Sequence, residues 1–468
     1  MNFLDIESIY PHLPIFAQNA LCYGYGLKEA RVRFGKAFRR KLEELTLSEH
    51  WSEGCIESYQ DEKIRELIEY AYENVPYYHN LMNSLKLVPA DIRGRKNLYK
   101  LPVLTKEDVR QNFDGLVSKK INKRRLILKH TSGTTGKSLH FYMQPSAVAF
   151  QWAICWRHRM RFGVERSDWH ANFTGKLVVP PAQTKPPYWR WASSMQQALI
   201  NMHHITPSKI KDIICFLNRY NFKFYTGYPS IIHTLAVTGK DAGLTINSPP
   251  RFVFTGAENI LDYQRQDIQD YLGSILTDTY GCTEACGGAS QCPEFVYHED
   301  FEFGIMECVD PSPADKNGRI KGKIVCTGFA NPAFPFIRYE VGDIGIWEDA
   351  AKMCRCGRKA RMLVNVEGRI DDYVITPENR KIMRFDYIFK GTKNVKEAQI
   401  VQEKLGAVKV RIVRRPQFGV QDEDDISRQI AKWISPKLEV TFEYVNEIER
   451  GNSGKFSAVV SKIKRDAL

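Results

Sequence analysis

Long apolar runs are missing from this 468-residue chain. No stretch approaches the roughly 18 consecutive apolar residues of a spanning helix, so none of it is expected to cross a bilayer. Cysteine is thin, eleven residues in all, which suggests a reducing compartment with thiols or bound metal in place of disulfide staples. The opening segment, MNFLDIESIYPHLPIF, carries Asp5 and Glu7 where a secretory signal would place Lys or Arg. A cytoplasmic location is the expectation. No zinc-finger, RNP-type or basic-zipper pattern occurs, so nucleic acid is not an expected partner. Repeats and low-complexity segments are lacking as well.

What is present is a globular composition, 43% hydrophobic and 12% aromatic, with length enough for two or three domains. The net charge of +13 raises the question of an anionic partner. The densest basic stretch, KEARVRFGKAFRRK (Lys28–Lys41), reads as the solvated face of a helix. A peripheral contact with a membrane surface or a polyanion is the weaker alternative, and no oligomeric state is read from the chain.

Residues 1–100 are expected to form a mainly helical lead-in, with the helix of DEKIRELIEYAYENV stopping before Pro76. The middle alternates strand, polar turn and helix: RLILKHTSGTTGK, NFKFYTGYPSIIHTLAV, PRFVFTGAENI and SILTDTYGCTEACGG. That alternation predicts a large doubly wound α/β domain, with ligands at the carboxyl ends of its strands. After Gly368–Asp371 the stretches KEAQIVQE, AVKVRIVRRP, DEDDISRQIAKWI and LEVTFEYV predict a small mobile α+β domain. The expected division is 1–368 and 369–468.

HTSGTTGKS looks like a Walker A loop, but counting back from Gly136 puts the required first glycine on Thr131. What remains is a turn of Ser132, Gly133, Thr134, Thr135, Gly136 and Lys137. It can still wrap phosphates through backbone N–H groups, hydroxyls and a cation. It is followed in order by YGCTE, YEVGD, GRIDD and SGKF. Together these five resemble the adenylate-forming superfamily, and AYENVPYY, LPVLTKEDVR and TGYPS resemble its phenylacetate–coenzyme A ligase and CapK-like branch. The likeness covers nearly the whole chain.

The resemblance implies an ATP-dependent enzyme. A carboxylate attacks the α-phosphate, pyrophosphate leaves, and the acyl-adenylate passes to an acceptor. The chemistry of each matching residue suits a role. Tyr280 offers a ring to adenine with Gly281 leaving room beside it, and Gly256, Ala257 and Glu258 of TGAE line the adenine edge. Thr283 bonds a phosphate oxygen and Glu284 holds Mg²⁺. Asp343 accepts the ribose hydroxyls, Arg369 approaches ribose and phosphates, and Asp371 is the hinge. Lys455 bridges carboxylate and α-phosphate as charge builds. Read singly, Tyr280 could be a core aromatic and Lys455 a surface lysine; motif order decides for function.

Cys292 and His298 in QCPEFVYHE, with Cys354 and Cys356 in MCRCGRKA, make a Cys₃His set suited to structural zinc. Relatives carrying such a cluster strengthen that reading over free thiols and a surface histidine. The other cysteines are expected to be buried thiols. Tyr228, Pro229, Ser230, His203 and His204 are candidates for the acyl pocket. After the hinge, DDYVITPENRKIMRFDYIF lacks the Gly-rich loop of the coenzyme A ligases. An amine acceptor, such as an amino sugar in polysaccharide synthesis, is therefore expected ahead of coenzyme A. A non-catalytic nucleotide-binding member of such an assembly is the rival, opposed by the presence of Lys455 and Glu284.

Overall fold

Apolar residues at helical spacing shape the first hundred positions of the computed structural model, which describes residues 9–131, 139–180, 182–369, 373–377, 381–382, 388–389, 392, 394–450 and 456–463. They form α1 (Ile15–Arg33), α2 (Lys36–Ser48), α3 (Glu53–Asn74) and α4 (Pro76–Ser84), followed by the short α5 (Lys106–Gln111). In α3, Ile56, Gln60, Ile64, Leu67, Ile68 and Ala71 are buried at spacings of three and four. The helix ends at Asn74 as expected. Val75 is extended before a proline, and Pro76 starts α4, where its missing N–H costs nothing. The basic run Lys28–Lys41 is not one helix face. It crosses from α1 to α2 at Phe34–Gly35, and Phe38 within it is buried.

β1 (Ile127–His130) and β2 (His140–Met143) form a hairpin, and α6 (Pro145–Met160) follows. The alternating section then gives β3 (His170–Thr174), β4 (Trp189–Ala192), β5 (Gln197–Asn201), α7 (Ile210–Arg219), β6 (Phe224–Gly227), α8 (Pro229–Asp241), β7 (Phe252–Gly256), α9 (Asp262–Leu272) and β8 (Ile275–Gly281). Strands β5, β3, β6, β7 and β8 lie parallel in that order, with β4 antiparallel at the edge. Their apolar runs pack under α7, α8 and α9 in a core that includes Ile213, Tyr225, Ile232, Val253 and Leu276.

One expectation fails at YGCTEACGG. No helix follows β8; β9 (Gly288–Gln291) doubles back antiparallel, with Tyr280 opposite Ala289. Ala285 sits at φ 56°, and a Cβ on Gly287 would lie 2.7 Å from Cys326 Sγ, so the chain turns too tightly here to start a helix. Antiparallel pairing continues through β10 (Tyr297–Glu299), β11 (Gly304–Val309), β12 (Ile320–Gly328), β13 (Tyr339–Trp347) and β14 (Met362–Arg369), completing a 12-stranded mixed sheet.

The C-terminal part holds the short pair β15 (Val374–Ile375) and β16 (Lys381–Ile382). Beyond them β17 (Val395–Gln402), β18 (Ala407–Arg414), α10 (Val420–Trp433), β19 (Glu439–Tyr444) and β20 (Val459–Ser461) make a four-stranded sheet ordered β19-β18-β17-β20. Ile400, Val410, Ile412, Ile426 and Ile430 fill its core, and Tyr263 of α9 packs against that core from the large domain. Ion pairs Arg415–Asp267 at 3.0 Å and Lys396–Asp241 at 2.6 Å cross the same seam. Among the described residues no helix is long and apolar enough to cross a membrane.

Candidate active site and metal cluster

The parallel strands bring their carboxyl ends together. Gly256 ends β7 beside Thr279 of β8, and a Cβ there would lie 2.9 Å from Thr279 Oγ1. Only glycine lets the two strands run this close before the TGAE turn, in which Ala257 takes φ 67°. The turn aims Glu258 back at the N-terminus of α8, where its Oε2 accepts from the backbone N–H of Ser230 at 3.2 Å. Its Oε1 accepts from the backbone N–H of Phe456 at 2.7 Å. Burial pushes the Glu258 carboxyl above its usual range. Phe456, which directly follows Lys455 in the sequence, is thereby tied to the end of β7.

On β8 the Tyr280 hydroxyl donates to Asp343 Oδ2 at 2.7 Å. Burial, reinforced by the Asp343 charge, raises the phenol well above its ordinary value. The expected adenine and ribose residues therefore meet. A Cβ on Gly281 would touch nothing within 4 Å, so space beside the ring is open. Strand pairing sets Arg369 opposite Asp343, which unites the GRIDD and VGD motifs through β13 and β14. Glu284 is buried and accepts at Oε1 from the Tyr339 hydroxyl at 2.7 Å, while Thr283 is exposed.

The residues that flank the Ser/Thr/Gly turn bond to each other. Thr131 N–H donates to Leu139 O at 2.9 Å, and Leu139 N–H donates to Thr131 Oγ1 at 3.1 Å. Ser132, Gly133, Thr134, Thr135, Gly136 and Lys137 themselves, together with Asp371 and Lys455, lie outside the described residues.

Of the acyl-pocket candidates, Tyr228, Pro229 and Ser230 sit at the start of α8 beside Glu258. His204 stacks on Tyr188, 5.1 Å between centroids, and burial lowers its pKa to about 4. His203 is exposed, and among the described residues no hydrogen bond or ring contact joins either histidine to Tyr228 or Ser230. The sequence reading missed Lys106. A Cβ on Gly342, at φ +95°, would lie 2.9 Å from Lys106 Nζ, which places that cation beside β13 at the residue before Asp343. Leu104 N–H bonds Arg338 O at 2.8 Å and Thr105 caps α5, so LPVLTKED holds the lysine there. The capping box was legible; the contact with VGD was not.

Cys292 follows β9, His298 lies on β10, and Cys354 and Cys356 come from the loop before β14. Their ligand atoms all lie within 4.8 Å of one another. Cys292 Sγ is 3.7 Å from Cys354 Sγ, and Cys356 Sγ is 3.3 Å from His298 Nε2. A tetrahedral site with Zn–S of about 2.3 Å and Zn–N of about 2.0 Å has edges of roughly 3.8 and 3.5 Å, so the set is already near that size. His298 Nδ1 lies 3.2 Å from Ala360 O, which favours a proton there and leaves Nε2 free to ligate. Burial lowers the His298 pKa to about 4, which keeps the imidazole neutral. Burial works against the Cys356 thiolate, yet the backbone N–H and guanidinium of Arg358 bring that thiol below its ordinary value. Of the remaining cysteines, Cys286 and Cys326 are buried, but Cys55 and Cys215 are exposed, on the solvent sides of α3 and α7. All eleven are unpaired.

The CapK C-terminal domain family matches residues 374–462. Protein CapK of Staphylococcus aureus is 25% identical over 468 residues, an alignment that covers 98% of this chain and 100% of that protein. The phenylacetate–coenzyme A ligase of Thermus thermophilus is 24% identical, over 68% of this chain and 72% of that one. Among solved structures, 2-hydroxyisobutyryl-CoA ligase in the postadenylation state superposes with a TM-score of 0.70 at 16% identity, over 89% of this chain and 91% of that one.

Proposed function

Because this chain belongs to the adenylate-forming superfamily, in its CapK- and phenylacetate–coenzyme A ligase-like branch, we propose that it is an AMP-forming acid ligase. A carboxylate oxygen attacks the α-phosphorus of ATP, the P–O bond to the β-phosphate breaks, and pyrophosphate leaves. The observation that carries this reading is the bond from Phe456 N–H to Glu258, 2.7 Å long. It anchors the residue after Lys455 at the end of β7, next to the end of β8 that bears Tyr280 and, through its hydroxyl, Asp343. Lys455 is then the cation that meets the charge growing on the α-phosphate. Tyr280 stacks on adenine, and Asp343, oriented by the Tyr280 hydroxyl, takes the ribose hydroxyls with Arg369 opposite. The loop Ser132–Lys137 and Thr283 hold the phosphates, and Lys106 adds a further cation at the ribose end.

Glu284 is the expected anchor for Mg²⁺, which when bound neutralises phosphate charge. Cys292, His298, Cys354 and Cys356 hold zinc, which ties the β9–β10 turn to the loop before β14. The Cys/His set offers four ligands, so the zinc is structural and holds the platform on which Tyr280 sits.

For the acceptor, an amine fits best. CapK aligns over 98% of this chain, whereas the Thermus coenzyme A ligase aligns over 68%. The segment after the hinge also lacks the glycines of a coenzyme A loop. Transfer to the thiol of coenzyme A is the second reading, favoured by the phenylacetate–coenzyme A ligases among the relatives. Pyrophosphate release over a panel of carboxylic acids tests the first step, and amines against coenzyme A as co-substrate test the second. No pyrophosphate release with any acid would leave the chain a nucleotide-binding protein without this activity.

A further inference from the structure

Helix α1 is built the wrong way out for a soluble surface. Its inner face is polar: Gln18 Oε1 accepts from Arg190 Nε at 2.7 Å, and Asn19 Oδ1 accepts from the backbone N–H of Trp191 at 3.0 Å. The Asn19 bond satisfies the open backbone of edge strand β4, and the Gln18 bond satisfies the buried guanidinium of Arg190 on that strand. Gly26, also on this side, is buried against Ser194. The opposite face carries Phe16, Ala20, Tyr23 and Leu27, positions that repeat at three and four and so form one stripe. Phe16 is 77% exposed, Tyr23 46% and Leu27 37%, and neighbouring Leu21 is 39% exposed. A surface helix ordinarily presents charge outward. Here about three turns present none.

The charge that follows is of one sign. Arg31, four residues past Leu27, continues the stripe at its C-terminal end, Lys28 lies beside it, and both are exposed. The helix contains one acid, Glu29, which is paired with Arg33 on the inner side. Lys36 and Arg39, both exposed, extend the cationic end into α2.

We propose that this face of α1 is a docking surface for an anionic phospholipid bilayer. Phe16, Tyr23 and Leu27 enter the interface, and Lys28 and Arg31 meet the headgroup phosphates. Aliphatic and aromatic side chains ending in cations are what an interfacial helix presents to a membrane. The polar inner face stays on β4, so the helix lies on the bilayer without crossing it, in keeping with its lack of a spanning apolar run.

The test is cosedimentation of the intact protein with vesicles of phosphatidylcholine alone or with added phosphatidylglycerol. The protein should pellet with the anionic vesicles and far less with the neutral ones. Lys28→Ala/Arg31→Ala should weaken anionic binding about 25-fold at low salt, roughly fivefold per cation. Phe16→Glu/Leu27→Glu should abolish pelleting while leaving the melting temperature and ATP–pyrophosphate exchange unchanged. Failure of the unaltered protein to pellet with anionic vesicles overturns the proposal. So does a solution dimer that Phe16→Glu/Leu27→Glu splits, because a second copy of the chain would then be what covers the stripe.

Discussion

Glu258→Gln is the sharpest perturbation the seam between domains allows. The native carboxylate accepts two backbone N–H groups, Ser230 at 3.2 Å and Phe456 at 2.7 Å. Glutamine keeps the shape but has one accepting oxygen, so its NH₂ must face one of those donors. Bonds to a charged acceptor contribute about 1.5–3 kcal/mol each, and a half-buried site lies toward the lower part of that range. Losing one and weakening the other costs about 2–3 kcal/mol, or roughly 30- to 150-fold in the population with Phe456 docked on residue 258. If the small domain turns away for transfer, the bond to Phe456 is made only in the adenylating arrangement, and the loss should fall on adenylation. Each half-reaction is run alone: ATP–pyrophosphate exchange for the first, and consumption of a supplied acyl-adenylate for the second. The expected result is slowed exchange with transfer within about threefold of the native rate, and a melting temperature close to native. Equal losses in both halves, or a large fall in melting temperature, would show that Glu258 merely supports the fold at α8.

Lys455→Ala should lower adenylation by about two to three decades and leave transfer nearly intact, measured by the same pair of assays. Protein purified without added metal should hold about one zinc per chain by elemental analysis, and Cys354→Ser should remove it; a metal-free, equally stable native protein would make the four residues ordinary ligands for nothing. Glu49 pairs with both Arg161 and Arg358, and although burial opposes ionisation, the two guanidinium groups hold its carboxyl below the usual range. A depressed folded-state pKa gives stability that is present above the unfolded value of about 4.3 and lost as pH falls through the folded value. Glu49→Gln should therefore cost roughly 2–4 kcal/mol at neutral pH, with the difference from native shrinking below about pH 4, as read by denaturant unfolding.

Much of the site was legible because its motifs are local. TGAE and YGCTE sit at the ends of neighbouring strands β7 and β8, whereas VGD lies within β13 and reaches them through the bond from the Tyr280 hydroxyl to Asp343. The helix expected after YGCTE failed because its cause is distant: Cys326 and Met306, on strands far along the chain, crowd Gly287 and force the tight return. The same holds for Lys106 beside Gly342 and for Tyr339 on Glu284, contacts that no spacing rule encodes. The Cys/His set was read from residue types, yet its convergence depends on β10 pairing with both β9 and β14. The basic run Lys28–Lys41 misled for a simpler reason. Charge density marked the wrong part of α1, whose unusual feature is the uncharged face before Lys28.

The central claim is that a carboxylate oxygen bonds to the α-phosphorus of ATP. It is tested most directly with an acid substrate labelled with ¹⁸O in its carboxyl group, carried through complete turnover to an acceptor. Attack at the α-phosphorus followed by cleavage of the acyl C–O bond must leave one labelled oxygen on AMP, and mass spectrometry of the nucleotide should find it there. Label in orthophosphate, with ADP as the nucleotide product, would place the attack at the γ-phosphorus and contradict the account.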